Sequence, residues 1–258
     1  VLGVALVAPM TNRLVGFLEQ RFRAEEEDEA RPQFLDRNVV ATPVLAIAAL
    51  SHELARIGAI ARRMAKGALS SELAPSRRLT IDKEILDRLV DAVGEYSKLL
   101  QHSHLPAELD HVLPNALRVS RYYTETAELS ETIARALSHA APLPAFDIGN
   151  RINEFKAAIA GLIEVANVEG DGYDGEALAR ELDRLQERYQ TLKGELLRAG
   201  TDGRVPVRQM VDTLDMLSNV RRTAEQVTKA ARRLEDLASV SRERETSEAD
   251  TMHSADNG

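Results

Sequence analysis

One apolar stripe near the end of the chain fixes what it can fold into. Val207, Met210, Leu214, Leu217, Val220, Ala224, Val227, Ala231, Leu234 and Leu237 follow one another at steps of three or four residues. That is one face of a helix of period 3.6. Arg208, Asp212, Asp215, Arg222, Glu225, Lys229 and Arg233 fall off the stripe and read as solvated. From Val205 to Val240 such a helix is a rod of about 54 Å. A rod that long with a narrow seam needs other helices laid along it.

The rod is written twice. Leu117 to Leu137 reads LRVSRYYTETAELSETIARAL, and Leu214 to Leu234 reads LDMLSNVRRTAEQVTKAARRL. Placed without gaps at an offset of 97, they agree at seven of 21 positions, among them Thr126-Ala127-Glu128 against Thr223-Ala224-Glu225. Upstream, Leu86-Asp87-Arg88-Leu89 returns as Leu182-Asp183-Arg184-Leu185 at an offset of 96. Two nearly equal offsets from separate helices point to an internal duplication.

Composition agrees with an all-α chain. Ala, Leu, Glu and Arg abound, aromatics are 4%, and 44% of the 258 residues are hydrophobic, enough for one large core or two small ones. There is no cysteine, which excludes disulfides and thiolate metal sites. A net charge of -8 argues against nucleic acid as a partner.

Taken in order, Val1–Met10 (VLGVALVAPM) is almost wholly apolar, and Leu14, Val15, Phe17, Leu18 and Phe22 continue it. Three readings stand: the cytoplasmic end of a membrane helix, a buried soluble helix, or a signal-peptide remnant. Arg13, Arg21 and Arg23 follow the run where the positive-inside rule puts cytoplasmic charge. The chain opens on Val, so a preceding segment is expected. Residues 25–29 (EEEDE) read as a solvated linker. Thr42-Pro43 opens the first helix, which runs to about Ala68; Thr80 opens the second and Pro114 the third. Pro142-Leu143-Pro144 breaks the chain. Helix four is expected over Ile148–Val168, helix five over Gly175–Arg198 with a glycine stop at Gly200 and Gly203, and helix six is the rod. Residues 1–37 are thus a membrane or amphipathic segment plus linker, 38–141 and 142–243 two three-helix units hinged at Pro142–Pro144, and 244–258 a disordered tail.

The motifs of catalysis are missing. His52-Glu53 lacks the second histidine of a zinc-protease helix, and His102, His104 and His111 cluster only around a loop. No Gly-rich phosphate loop or nucleophile elbow occurs, so no catalytic residue and no cofactor is expected. Carboxylates four apart on one helix face can chelate a divalent cation. Asp87 with Asp91 and Asp183 with Glu187 have that spacing and are repeat-equivalent, which makes them the metal candidates. Arg88, Arg184 and Arg188 stand close enough to neutralise them.

At this point the chain resembles a known family, the cytosolic PhoU-like domain of bacterial sodium/phosphate cotransporters. The matching residues are Ala8-Pro9, Phe34-Leu35-Asp36, Pro43 with Ala46, His52-Glu53-Leu54-Ala55-Arg56 through Met64, then Asp87, Leu89 and Tyr96. Arg221-Arg222, Glu225-Gln226, Lys229-Ala230-Ala231 and Leu234 complete them. The resemblance implies a PhoU-like six-helix pseudo-repeat preceded by an apolar N-terminal helix. It also implies a site at the cytoplasmic face of the cell membrane, beside a membrane half that handles sodium and inorganic phosphate. The implied role is non-catalytic: regulation, gating or homodimerisation. The alternative is a free-standing soluble helical scaffold that binds a partner protein. PhoU proteins proper carry a carboxylate and then Asp four residues on, in helices three and six, around multinuclear metal clusters. Here those positions are Ser218 and Arg222 in helix six. In helix three they are Arg121 and Glu125, or Thr124 and Glu128 in a shifted register. Loss of the clusters, at least in the second repeat, is the expectation.

Overall fold

The computed structural model describes residues 26–70, 77–102 and 112–255, with side-chain detail through residue 240. Six long helices carry the fold: α1 (Pro43–Leu69), α2 (Arg77–His102), α3 (Val112–His139), α4 (Phe146–Val165), α5 (Gly175–Thr201) and α6 (Val207–Ala255). No strand occurs among the described residues. The chain is an all-α bundle of two helical triplets. The apolar run at the N-terminus, His104 and His111 lie outside the described residues.

Local chemistry sets most helix ends. Pro43 is the first residue of α1 behind an extended Thr42, although the Thr42 hydroxyl makes no capping bond. Asp174 caps α5, its Oδ1 accepting from the N–H groups of Glu176 and Ala177 at 2.9 Å each. Beyond α5, Gly203 takes φ +72, and the N–H groups of Arg204 and Val205 return to the Ala199 carbonyl at 2.9 and 3.1 Å. α4 stops at Val165 rather than Val168, because Ala166 turns out of helical geometry and Arg62 of α1 donates to its carbonyl at 3.3 Å. α6 continues to Ala255, through most of the segment expected as a disordered tail, whose last residues, 256–258, lie outside the described residues. No Gly or Pro interrupts residues 241–255, and a helix once nucleated propagates through Arg, Glu and Ala.

α3 and α6 are the most closely packed pair of helices. Gln209, at the start of α6, donates to the carbonyls of Ala141 and Pro142 beyond the end of α3, at 2.9 and 3.0 Å. The two helices therefore run antiparallel. Where they cross, Arg222 Nη2 donates to Glu125 Oε1 at 2.7 Å. These two residues are 97 apart, the offset of the repeat. Repeat-equivalent residues can meet each other only beside a local two-fold axis, so such an axis passes between the helices here. Burial follows the same relation: Val119 and Met216, Tyr123 and Val220, Ala127 and Ala224, Ile133 and Ala230 are all buried. Thr126 and Thr223, both fully buried, return their hydroxyls to the carbonyl four residues back at 2.8 and 2.9 Å.

The triplets do not meet merely at a Pro142–Pro144 hinge. One core gathers α1 from Ala46 to Met64, α2, the first half of α3, and Ala230, Leu234 and Leu237 of α6. The other gathers α4, α5 and the first half of α6, together with Ala65, Ala68 and Leu69 of α1 and Ile133 and Ala134 of α3. Each core borrows helix ends from the other triplet, which fixes them together. α1 serves both cores and is the one described helix long and apolar enough to cross a membrane; 67% of its apolar window is buried inside the bundle. Leu45, Leu99 and Val207, expected inward, are 48%, 39% and 65% exposed; Leu45 and Leu99 lie off the buried face, since Val44, Ala46 and Leu100 in the same turns are buried, and Val207 is the first residue of α6.

One buried cation has no counter-charge. Lys156 of α4 is 7% exposed, with no hydrogen-bond or ion-pair partner among the described residues, and burial alone pushes its ammonium below the usual lysine range. Lys156→Met is expected to stabilise the protein by about 1 kcal/mol at neutral pH. The unfolded chain binds more protons than the folded one from the lowered pKa up to the ordinary lysine value. Wild-type stability therefore rises with pH across that window. Urea melts of both proteins at pH 7 and pH 10 check this: the gap should narrow at pH 10, and a less stable variant at pH 7 defeats it.

Candidate functional site

The residues that bear the family resemblance near the N-terminus converge on one structure. Residues 26–40 form a strap that runs antiparallel to α1, with a helical turn at 26–29 and a 3-10 turn at Arg37–Val39. Glu53 of α1 is completely buried and holds the strap by its backbone. Its Oε2 accepts from the N–H groups of Gln33 and Phe34 at 2.8 and 3.0 Å, and its Oε1 accepts from Arg56 Nη1 at 2.8 Å. Arg56 in turn donates to the Arg31 carbonyl at 2.8 Å and to the Glu29 carbonyl. Farther along, the Phe34 ring lies 5.3 Å from the His52 ring, and the Tyr96 hydroxyl donates to the Asp36 carbonyl at 3.2 Å.

Of the acidic run, expected as a solvated linker, Glu27 and Asp28 are exposed, but Glu29 is held. Glu29 bridges Arg63 of α1 and Arg78 of α2 at 2.8 and 3.1 Å. Both arginines also hold Asp82, 2% exposed, at 2.7 and 2.8 Å. Two carboxylates facing two guanidinium groups make a closed set that neither helix forms alone. Burial pushes the Glu29 carboxyl up, but the hydrogen bond and charge of Arg63 and then Arg78 outweigh it, and its pKa ends below the ordinary value. The sign follows: the unfolded chain holds the Glu29 proton more tightly, so this contribution is present above pH 4.5 and is lost as pH falls through the lowered value. Acidification below pH 4 is expected to raise amide exchange across residues 26–31 before the bundle melts. Simultaneous loss of protection everywhere would contradict it.

A second set of α1 side chains holds the other triplet. Arg62 Nη2 donates to Asn167 Oδ1 at 2.8 Å, Lys66 pairs with Glu164, and His52 Nδ1 lies 3.1 Å from Glu169 Oε1. One helix thus clasps the entering strap on one side and the α4–α5 turn on another.

The metal candidates stay on separate surfaces. Asp87 is paired with Lys83 at 2.6 Å, while Asp91 lines an open groove that also holds Lys98 and Arg121. Asp183 faces the groove between α5 and α6, and Glu187 lies beside Arg151, Arg184 and Arg188. Among the described residues, no three His, Cys, Asp or Glu side chains converge on one point. In helix six, Arg222 holds Glu125 of helix three, so a guanidinium stands between the two equivalent positions. Its neighbour Arg221 pairs with Glu225 and lies 5.1 Å over the Tyr189 ring. His102 Nδ1 is 2.6 Å from the Lys98 carbonyl, a local helix-end contact.

Glu29, Arg63, Arg78 and Asp82 carry no motif in the sequence, and Glu53 stands there only beside His52, in an incomplete zinc motif and in the run that bears the resemblance. One signal was available: Glu53 lies between Leu50 and Leu54, on the apolar face where a solvated acid has no place. No protein-family model, curated protein or solved structure matches the chain.

Proposed function

We propose that this chain is a PhoU-like cytosolic domain of a sodium-dependent phosphate transporter, a non-catalytic appendage that regulates the membrane half. The clasp carries the reading. Phe34, Asp36, His52, Glu53, Arg56 and Tyr96, which bear the resemblance, come together around the segment that enters from residue 26. Fixing that segment to α1 makes strap and bundle one mechanical unit, and α1 passes the constraint to both cores. A rearrangement of either triplet then displaces the entering chain, which is how an appendage biases a membrane part. The duplicated triplets and the Arg222–Glu125 pair fit a PhoU-like frame whose cluster positions have turned to ion pairing.

The test uses the full-length gene product in proteoliposomes. Sodium-driven phosphate uptake is expected, with its rate or phosphate dependence altered by Glu53→Gln. A product without sodium-dependent phosphate uptake sinks the reading. The alternative, a free-standing scaffold for a partner protein, draws on Phe146 and Val207, which are 77% and 65% exposed at the helix starts of the second triplet. It predicts a full-length product that stays in solution and purifies with a bound protein.

A further inference from the structure

The two triplets bury matching residues in one register. Between α1 and α4 the offset is 98: Leu50 and Ile148, Leu54 and Ile152, Ile57 and Phe155, Met64 and Leu162 are all buried mates. Lys66 and Glu164, also 98 apart, pair with each other, a second meeting of repeat mates on the local axis. Between α2 and α5 the offset is 96: Leu89 and Leu185, Val93 and Tyr189, Tyr96 and Leu192, Leu100 and Leu196 are all buried. In the first triplet the strap fills the groove between α1 and α2. Glu53 accepts from its N–H groups, and Arg56 and Tyr96 donate to its carbonyls. The mates of these three residues are Arg151, Glu154 and Leu192, and all three line the groove between α4 and α5.

That second groove is open, with a volume of about 570 Å³. The chain has no second strap to lay in it. Residues 127–134 stand as far before α4 as residues 29–36 stand before α1, but they belong to α3, and Ala127, Ser130, Ile133 and Ala134 are buried in the bundle.

The grips are rearranged rather than lost. Arg151 is turned to Glu195 of α5, and Arg184 to Glu181 at 3.0 Å, so the groove holds no surplus of positive charge for a small anion. Glu154, one turn on from Arg151, has no hydrogen-bond or ion-pair partner among the described residues. Leu192 brings no hydroxyl where Tyr96 has one, but Arg188, one turn back on α5, is a donor without a partner among the described residues. One wall thus offers an unpaired carboxylate and the other an unpaired guanidinium, above a floor of Phe155 and Leu192. An extended backbone laid between the walls presents N–H and C=O groups along both of its edges, and each of these needs a partner when water is excluded.

We infer that this groove is a second strap site, which takes an extended peptide segment of another polypeptide, with Glu154 accepting from its backbone N–H groups and Arg188 donating to its carbonyls. The site stands whether or not the chain belongs to a transporter.

A fluorescent peptide of residues 29–40 is the probe, because it is the segment that fills the mate of this groove. The first groove is closed to it, since tethering keeps the chain's own strap there at an effective concentration of about millimolar. Fluorescence anisotropy against the full chain should show saturable binding at one site per chain. Glu154→Ala and Arg188→Ala should each weaken it about tenfold, the loss of one charge-assisted hydrogen bond. Both side chains are exposed, so neither variant should shift the thermal melt. Arg208→Gln, on the exposed start of α6, should leave binding unchanged. Absence of saturable binding overturns the proposal, as does binding that survives both alanine substitutions. A chain that is dimeric alone and turns monomeric with Arg188→Ala assigns the groove to a second copy and overturns it as well.

Discussion

Glu53→Ala is expected to release the strap and to cost about 3–5 kcal/mol, the loss that follows when one member of a buried charged set is removed. The change leaves three donors without their acceptor: the N–H groups of Gln33 and Phe34 and the Arg56 guanidinium. Each keeps a desolvation penalty unless water reaches it. Water reaches all three if residues 26–40 peel away, so the penalty cannot exceed the free energy that docks the strap. The expected phenotype is therefore local: fast amide exchange at Gln33 and Phe34, early proteolysis before Pro43, and a bundle that still melts cooperatively. Glu53→Gln keeps an acceptor for the strap amides but turns an NH2 donor toward the Arg56 guanidinium, losing both charge and acceptor there, so it should fall between wild type and Ala. Asp82→Ala tests the other end of the clasp, since Arg63 and Arg78 lose their buried partner and retain only Glu29. Unchanged exchange at residues 33 and 34 in Glu53→Ala would remove the clasp as a structural unit.

The triplet repeat was legible because apolar periodicity and prolines are local signals. The stripe from Val207 to Leu237 and the break at Pro142–Pro144 need only a few residues of context each. The clasp was illegible for the opposite reason. Glu29 meets Arg63 and Arg78 across 34 and 49 residues of chain, and nothing in EEEDE distinguishes the acid that is held from those that are not. Lys156 shows the same blindness on the core side, since its sequence neighbours Phe155 and Ile159 define a stripe without saying how wide the buried arc is. The metal candidates were visible as spacing, and so was Lys83 four residues before Asp87, but Arg121 beside Asp91 and Arg151 beside Glu187 come from other helices. The interlocked cores were out of reach as well. Periodicity tells which face of α1 is buried, and only the packing tells that its last turn is buried in the other triplet's core.

Glycine gives the sharpest case of two residues that look alike in sequence and differ in the fold. Gly58 in α1 and Gly161 in α4 are both mid-helix, and propensity alone predicts that alanine stabilises either by about 0.5–1 kcal/mol. At Gly161 nothing lies within 4 Å of an added Cβ, so that gain should appear in full. At Gly58 the Cβ would meet the Tyr123 hydroxyl oxygen at 2.5 Å and its Cζ at 2.6 Å. Tyr123 is 1% exposed on α3, and burial pushes its phenol up to about 12, so the ring has no route to solvent. Either the ring or the α1–α3 spacing has to give, and overpacking of this kind costs about 1–3 kcal/mol net of the propensity gain. Because α1 serves both cores, the loss should appear in the global melt as a drop of roughly 2–4 °C per kcal/mol. Trimming the tyrosine supplies the decisive control. Tyr123→Leu alone leaves a void and destabilises, but in the Gly58→Ala background the new methyl group occupies part of that void. The double variant should therefore be more stable than the sum of the two single losses by about 1 kcal/mol or more. Additive losses, or equal effects of alanine at positions 58 and 161, would show that α1 and α3 do not meet through Gly58 and Tyr123.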